Sequence, residues 1–158
     1  MRRLTLPRIF LLLLILATVC FIFLRSTKPP AASSAESDKV REVLEDILPP
    51  ETDFTEFVLA NVRKIAHFSE FGLLGILTML YFATYRLRAC KFVGYAVFGL
   101  VIAFFDETIQ IFTSRGPAVV DVWIDFGGYI TYSLLTLAVL TPVLLVRKRP
   151  LFTRTYAL

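Results

Sequence analysis

The chain has 158 residues, 56% of them hydrophobic, and a mean hydropathy of +0.69, which excludes an ordinary water-soluble domain. Its net charge of +4 lies in short basic flanks beside long apolar blocks, with no extended basic face bearing aromatics, so a nucleic-acid partner is excluded as well. Cys20 and Cys90 fall in different kinds of segment and do not read as a disulfide.

The first block, Ile9 to Leu24, is almost purely aliphatic and aromatic, with Arg2, Arg3 and Arg8 before it and Arg25 after it. A signal-peptidase site would best fit Ser33-Ser34-Ala35, about ten residues past the apolar core and beyond Pro29-Pro30, which is long for such a site. An uncleaved anchor is the better reading. From Ser26 to about Ala35 the composition is that of a linker. Val40, Val43, Leu44 and Ile47 then recur at helical spacing among charges, predicting a short amphipathic helix capped by Ser37 and stopped by Pro49-Pro50. The division expected is an anchor and linker over 1–35 and a membrane domain over 36–158.

Thr52 or Asp53 is expected to cap a helix that begins amphipathic and runs unbroken through Ile65 into the apolar stretch Phe71 to Tyr85. Arg86, Arg88 and Lys91 separate this second span from a third. The run from Phe92 to Phe105 is too short to cross a bilayer and must continue through Asp106, Glu107 and Gln110 to about Phe112. A loop containing Gly116-Pro117 leads to the fourth block, Val122 to Val146, closed by Arg147, Lys148 and Arg149. The fold class predicted is all-α: a polytopic bundle of four transmembrane helices with a short amphipathic extracytoplasmic helix.

With the amino terminus inside, the cytoplasmic segments hold Arg2, Arg3, Arg8, Arg86, Arg88, Lys91, Arg147, Lys148, Arg149 and Arg154, and all 13 acidic residues fall on the other side. The basic bias sets both termini in the cytoplasm. Charged groups inside a membrane cost several kcal/mol unless they are paired or reach water, yet three of these spans carry them, all at the same end. Lys64, His67 and Glu70 recur every three residues on the second span. Asp106 and Gln110 lie one turn apart on the third with Glu107 adjacent, and Asp121 and Asp125 one turn apart on the fourth, with Gly127 and Gly128 allowing close helix packing below them. Arg115 lies in the loop between the last two spans. These nine residues are expected to line one outward pocket. The plain alternative is a salt-bridge network in which Lys64 and Arg115 neutralise carboxylates and fix helix register.

At these residues the chain resembles the VanZ-like family of small bacterial membrane proteins. The resemblance is carried by Lys-x-x-His-Phe-x-Glu at 64–70 followed by Gly72 and Gly75, by Asp-Glu-x-x-Gln at 106–110, and by Arg115 and Asp121 followed by Gly128. Family members often have Asn where this chain has Asp125. The resemblance implies a bacterial plasma-membrane location, an association with the cell envelope, and a link to glycopeptide (teicoplanin-type) resistance.

The function expected is non-enzymatic: recognition, at the outer membrane surface, of a lipid head group or lipoglycopeptide by carboxylates, Arg115 and Lys64, with membrane lipids and lipid-linked cell-wall precursors as partners. The alternative is a membrane-embedded enzyme acting on an envelope lipid, in which His67, Glu70, Asp106, Glu107 and Asp121 offer ligands to a divalent ion. His67 is the single histidine and no dense metal motif is present, so no metal and no cofactor is assigned. Ser69, Thr108 and Ser114 have no nucleophile setting.

Overall fold

A computed structural model describes residues 5–85, 89–113 and 118–146, with side chains at 89–91 and 143–146 left aside. Among the described residues six helices follow in order: α1 (Leu6–Ser26), α2 (Pro30–Ile47), α3 (Asp53–Ala60), α4 (Val62–Ala83), α5 (Ala89–Phe112) and α6 (Val119–Val146). Four of them, α1, α4, α5 and α6, are long and apolar enough to cross a membrane, and the chain is a multi-pass helical membrane protein.

Helix α4 packs along α6 and α1, and α5 closes the bundle against α6 and α1. The core runs through Ile22, Phe71, Leu74, Met79 and Tyr129, while Leu13, Phe104, Leu134 and Val139 face outward, as lipid-facing positions do. The α4–α6 seam is close because two glycines allow it. A Cβ at Gly75 would lie 2.3 Å from the Tyr129 carbonyl oxygen, and one at Gly128 would lie 2.2 Å from the Phe68 carbonyl oxygen. Gly127, expected to share that role, has only ordinary space beside Phe68, at 3.8 Å. Antiparallel pairing of α1 and α4 is fastened at its far end by Arg8. This guanidinium donates to the Thr84 carbonyl at 2.7 Å and to the Thr84 hydroxyl at 3.1 Å, at the carboxyl end of α4 where a cation complements the exposed carbonyls.

Two expectations are corrected. The Pro-Ala-Ser segment is not a linker throughout: Pro30 occupies the first turn of α2, where its missing N–H costs nothing, and Ser37 sits inside that helix instead of capping it. The second span is not continuous with the amphipathic helix before it. Thr52 does cap α3, accepting from the Thr55 amide at 3.2 Å, but Asn61 ends that helix by donating its side-chain amide to the Phe57 carbonyl at 2.9 Å, and α4 begins at the next residue. Arg2, Arg3, Arg86, Arg88, Arg115, Arg147, Lys148, Arg149 and Arg154 lie outside the described residues.

Candidate functional site: a polar pocket at one end of the bundle

The carboxyl ends of α1 and α5 and the amino ends of α4 and α6 lie together, and their polar residues converge. His67 lies five residues inside α4, and Asp106 and Asp125 lie six residues inside their helices. At 1.5 Å per residue these three sit about 8–9 Å below the helix ends. His67 Nδ1 is 3.5 Å from Asp125 Oδ1 and 3.7 Å from Asp106 Oδ2, and one ligand-capable atom from each residue falls within 4.8 Å of the others.

Asp106 is fully buried and held from two sides: the Ser26 hydroxyl donates to Oδ1, and Gln110 Nε2 donates to Oδ2 at 2.8 Å. Gln110 is itself fixed by Arg63, whose Nη2 donates to Oε1 at 3.0 Å. Asp125 differs. It is 1% exposed, and neither oxygen has a described donor nearer than His67 Nδ1, 3.5 Å from Oδ1. A buried carboxylate without donors is expensive, and among the described residues its only ion-pair partner is His67. One imidazole, even protonated, balances one of the two aspartates.

The remaining predicted residues divide. Glu70 pairs with Arg25 at 2.8 Å and so is neutralised from α1, not by Lys64. Glu107 turns away from His67: Oε1 accepts from the Ala118 amide at 2.8 Å, next to the start of α6, while buried Oε2 has no described donor. Glu107 also borders an apolar groove of about 660 Å³ between α5 and α6, flanked by Phe104, Phe105 and Trp123. Lys64 and Asp121 line the mouth of a separate pocket of about 190 Å³, which has Asn61, Arg63 and Gln110 on its walls and His67 and Asp125 at its base. Lys64 makes no ion pair among the described residues. Arg115 lies outside them.

Sequence reasoning missed Arg25, Ser26 and Arg63. Arg25 and Ser26 carried only a positional signal, since the end of α1 shares a membrane face with the cluster; Arg63 stands next to the lysine that was singled out.

A helical membrane bundle with a polar pocket let into one end defines the class. Within it, a family model described as VanZ/LLP1 matches residues 10–147, and the chain belongs to that family. The matched segment takes in most of α1 as well as α4, α5 and α6, which carry Glu70, Asp106, Glu107, Asp121 and Asp125. No curated protein and no solved structure matches the chain.

Proposed function

We propose that this VanZ/LLP1 protein is a non-enzymatic membrane receptor for the phosphate-bearing head group of an envelope amphiphile. The observation that carries the reading is the 190 Å³ pocket, with Lys64 and Asp121 at its mouth, Arg63 on its wall and the uncompensated Asp125 at its base. Arginine and lysine supply charge-assisted hydrogen bonds to phosphate, while the base calls for positive charge. The volume corresponds to about six water molecules. It suits a head group and leaves the body of a lipoglycopeptide outside, so a part in teicoplanin-type resistance would run through recognition of a lipid-linked group.

The basic bias of the sequence supports a plasma-membrane protein with both termini cytoplasmic and the pocket outward. In cells lacking Cys20, a cysteine at the exposed position Ser34 should react with an impermeant thiol reagent and Cys90 should not; the reverse pattern would invert the orientation.

The binding test uses the full chain in nanodiscs made from an uncharged, phosphate-free matrix, titrated with short-chain phosphatidylglycerol, phosphatidylethanolamine and diacylglycerol. The two phospholipids should bind, the diacylglycerol should not, and Arg63→Ala combined with Lys64→Ala should weaken binding about tenfold or more, consistent with loss of hydrogen bonds to a charged group. Equal binding of all three, or a double variant indistinguishable from the parent, would overturn the reading.

A further inference from the structure

We propose that His67, Asp106 and Asp125 form a binding site for one first-row divalent metal ion, Zn²⁺ or Mn²⁺, at the base of the pocket. In the sequence His67 has several acidic companions of equal standing; the structure selects two. Glu70 is taken by Arg25, and Glu107 bonds toward Ala118. The set left is one imidazole nitrogen and two carboxylate oxygens on three different helices.

The spacing fits. Metal bonds of about 2.0–2.2 Å in tetrahedral geometry separate ligand atoms by about 3.3–3.6 Å, and Nδ1 stands 3.5 and 3.7 Å from the two oxygens. An imidazole with carboxylates suits zinc, manganese or iron better than calcium or magnesium, which take oxygen ligands and more of them.

The independent observation is Asp125. Its oxygens are buried, have no described donor nearer than His67 Nδ1 at 3.5 Å, and lie in a membrane-spanning segment. A carboxylate that served only to fix helix register would be expected to have its lone pairs satisfied. Asp106 next to it shows what satisfaction looks like, and its donors have the character of outer-shell support: Gln110 holds the coordinating oxygen, Ser26 holds the other, and Arg63 holds Gln110. Oδ2 accepts one hydrogen bond and keeps a second lone pair for an ion. Entry is provided by the pocket, whose base is formed by His67 and Asp125. Three protein ligands leave an open position toward that pocket, where water or a phosphate oxygen completes the shell. Only this last feature rests on the head-group reading.

The test is made on the full chain in detergent, stripped with EDTA, re-equilibrated with Zn²⁺ or Mn²⁺, desalted and assayed for bound metal. The parent should retain one equivalent of at least one of the two ions and melt at higher temperature with it than in EDTA. Asp125→Asn and His67→Ala should lose that equivalent, Gln110→Ala should bind about 10–100-fold more weakly, and Glu70→Gln should bind like the parent. A parent that holds no stoichiometric metal and shows no thermal shift overturns the site, as does an Asp125→Asn protein that keeps its metal. These parent measurements decide the matter even where a variant fails to fold. Phospholipid binding measured on the same preparations separates the two proposals: a parent that takes up no metal after re-equilibration yet binds phospholipid sinks the metal site alone, and metal uptake by a protein indifferent to phospholipids sinks the head-group reading alone.

Discussion

Eleven residues, about 16 Å along the axis, separate His67 from Thr78 on α4, and each stands at the centre of a buried polar cluster shared with α5 and α6. Around Thr78 the groups are neutral and closed upon themselves. Its hydroxyl lies 3.2 Å from those of Tyr95 and Tyr129, Tyr95 donates to the Gly75 carbonyl at 3.1 Å, Tyr129 donates to the Tyr95 carbonyl at 3.2 Å, and Ser133 bonds both Tyr95 and the Tyr129 carbonyl. The two tyrosine rings stack with centroids 5.0 Å apart. Around His67 the groups are ionisable, and Asp125 is left with His67 alone beside it among the described residues. The same helices thus carry a cluster whose bonding capacity is used up internally and one that keeps capacity in reserve. The first behaves as interhelical glue; the second is what a ligand site requires, at some cost to the fold.

The largest effect is expected where the two clusters share a support, the α4–α6 seam. Gly128→Ala would place a methyl 2.2 Å from the Phe68 carbonyl oxygen, a backbone atom that cannot swing aside. The helices must part beside His67, and the loss should be about 2–3 kcal/mol, toward the upper end for overpacking, read as thermal unfolding in detergent. Gly127→Ala meets only an ordinary contact with the Phe68 ring at 3.8 Å and should be neutral or gain up to about 1 kcal/mol from helix propensity. Similar losses at both positions would mean that close approach at Gly128 does not set the seam.

The next pair of substitutions tests the contrast itself and differs in sign. Tyr129→Phe removes a hydroxyl that bonds Thr78 and the Tyr95 carbonyl, and should cost about 0.6–1.7 kcal/mol, the range for hydrogen bonds between membrane helices. Asp125→Asn, measured in EDTA, removes the carboxylate left in excess where two aspartates share one imidazole, and should stabilise the fold by about 1–2 kcal/mol. Asp106→Asn should do the opposite of its neighbour, since an amide cannot accept from both Ser26 and Gln110. If Asp125→Asn destabilised the protein as Asp106→Asn does, the two aspartates would be equivalent members of a structural network.

That difference between neighbouring carboxylates marks the limit of what the sequence reveals. Convergence was legible, because apolar runs of spanning length force the ends of α4, α5 and α6 to meet, and because a spacing of four keeps Asp106 with Gln110 and Asp121 with Asp125 within about 40° on a helix. Orientation around the axis was less so. A spacing of three steps back by about 60° each time, so Lys64, His67 and Glu70 fan across about 120°: Lys64 reaches the pocket mouth, His67 its base, and Glu70 the neighbouring α1. Nothing in the apolar run of α1 foretold that Ser26 would donate to Asp106, since a single serine after a span has no periodic partner. The helical start at Pro30 was hidden because proline breaks a helix inside it and begins one at its first turn.

The smallest expected effect concerns the outer edge of the charged cluster, where burial gives way to solvent. Arg25 joins the two environments: it pairs with Glu70 at 2.8 Å on the inner side and with Glu36 of α2 at 3.3 Å on the outer side, where Lys28 also bonds Glu36. The Lys28 hydrogen bond, helped by the charges of Lys28 and Arg25, holds the Glu36 carboxyl below its usual 4.5. A depressed folded value means that the unfolded chain takes up its proton first as pH falls. The contribution is therefore complete above about 4.5 and fades as pH drops through the lower folded value. Glu36→Gln should lower the melting temperature slightly at pH 7 and low salt, and the difference from the parent should vanish toward pH 3 and shrink in about 0.5 M NaCl, because exposed pairs are weak and screened. A difference that survived both acid and salt would show Glu36 to be sheltered, and would extend the buried charged cluster outward from Glu70 onto α2.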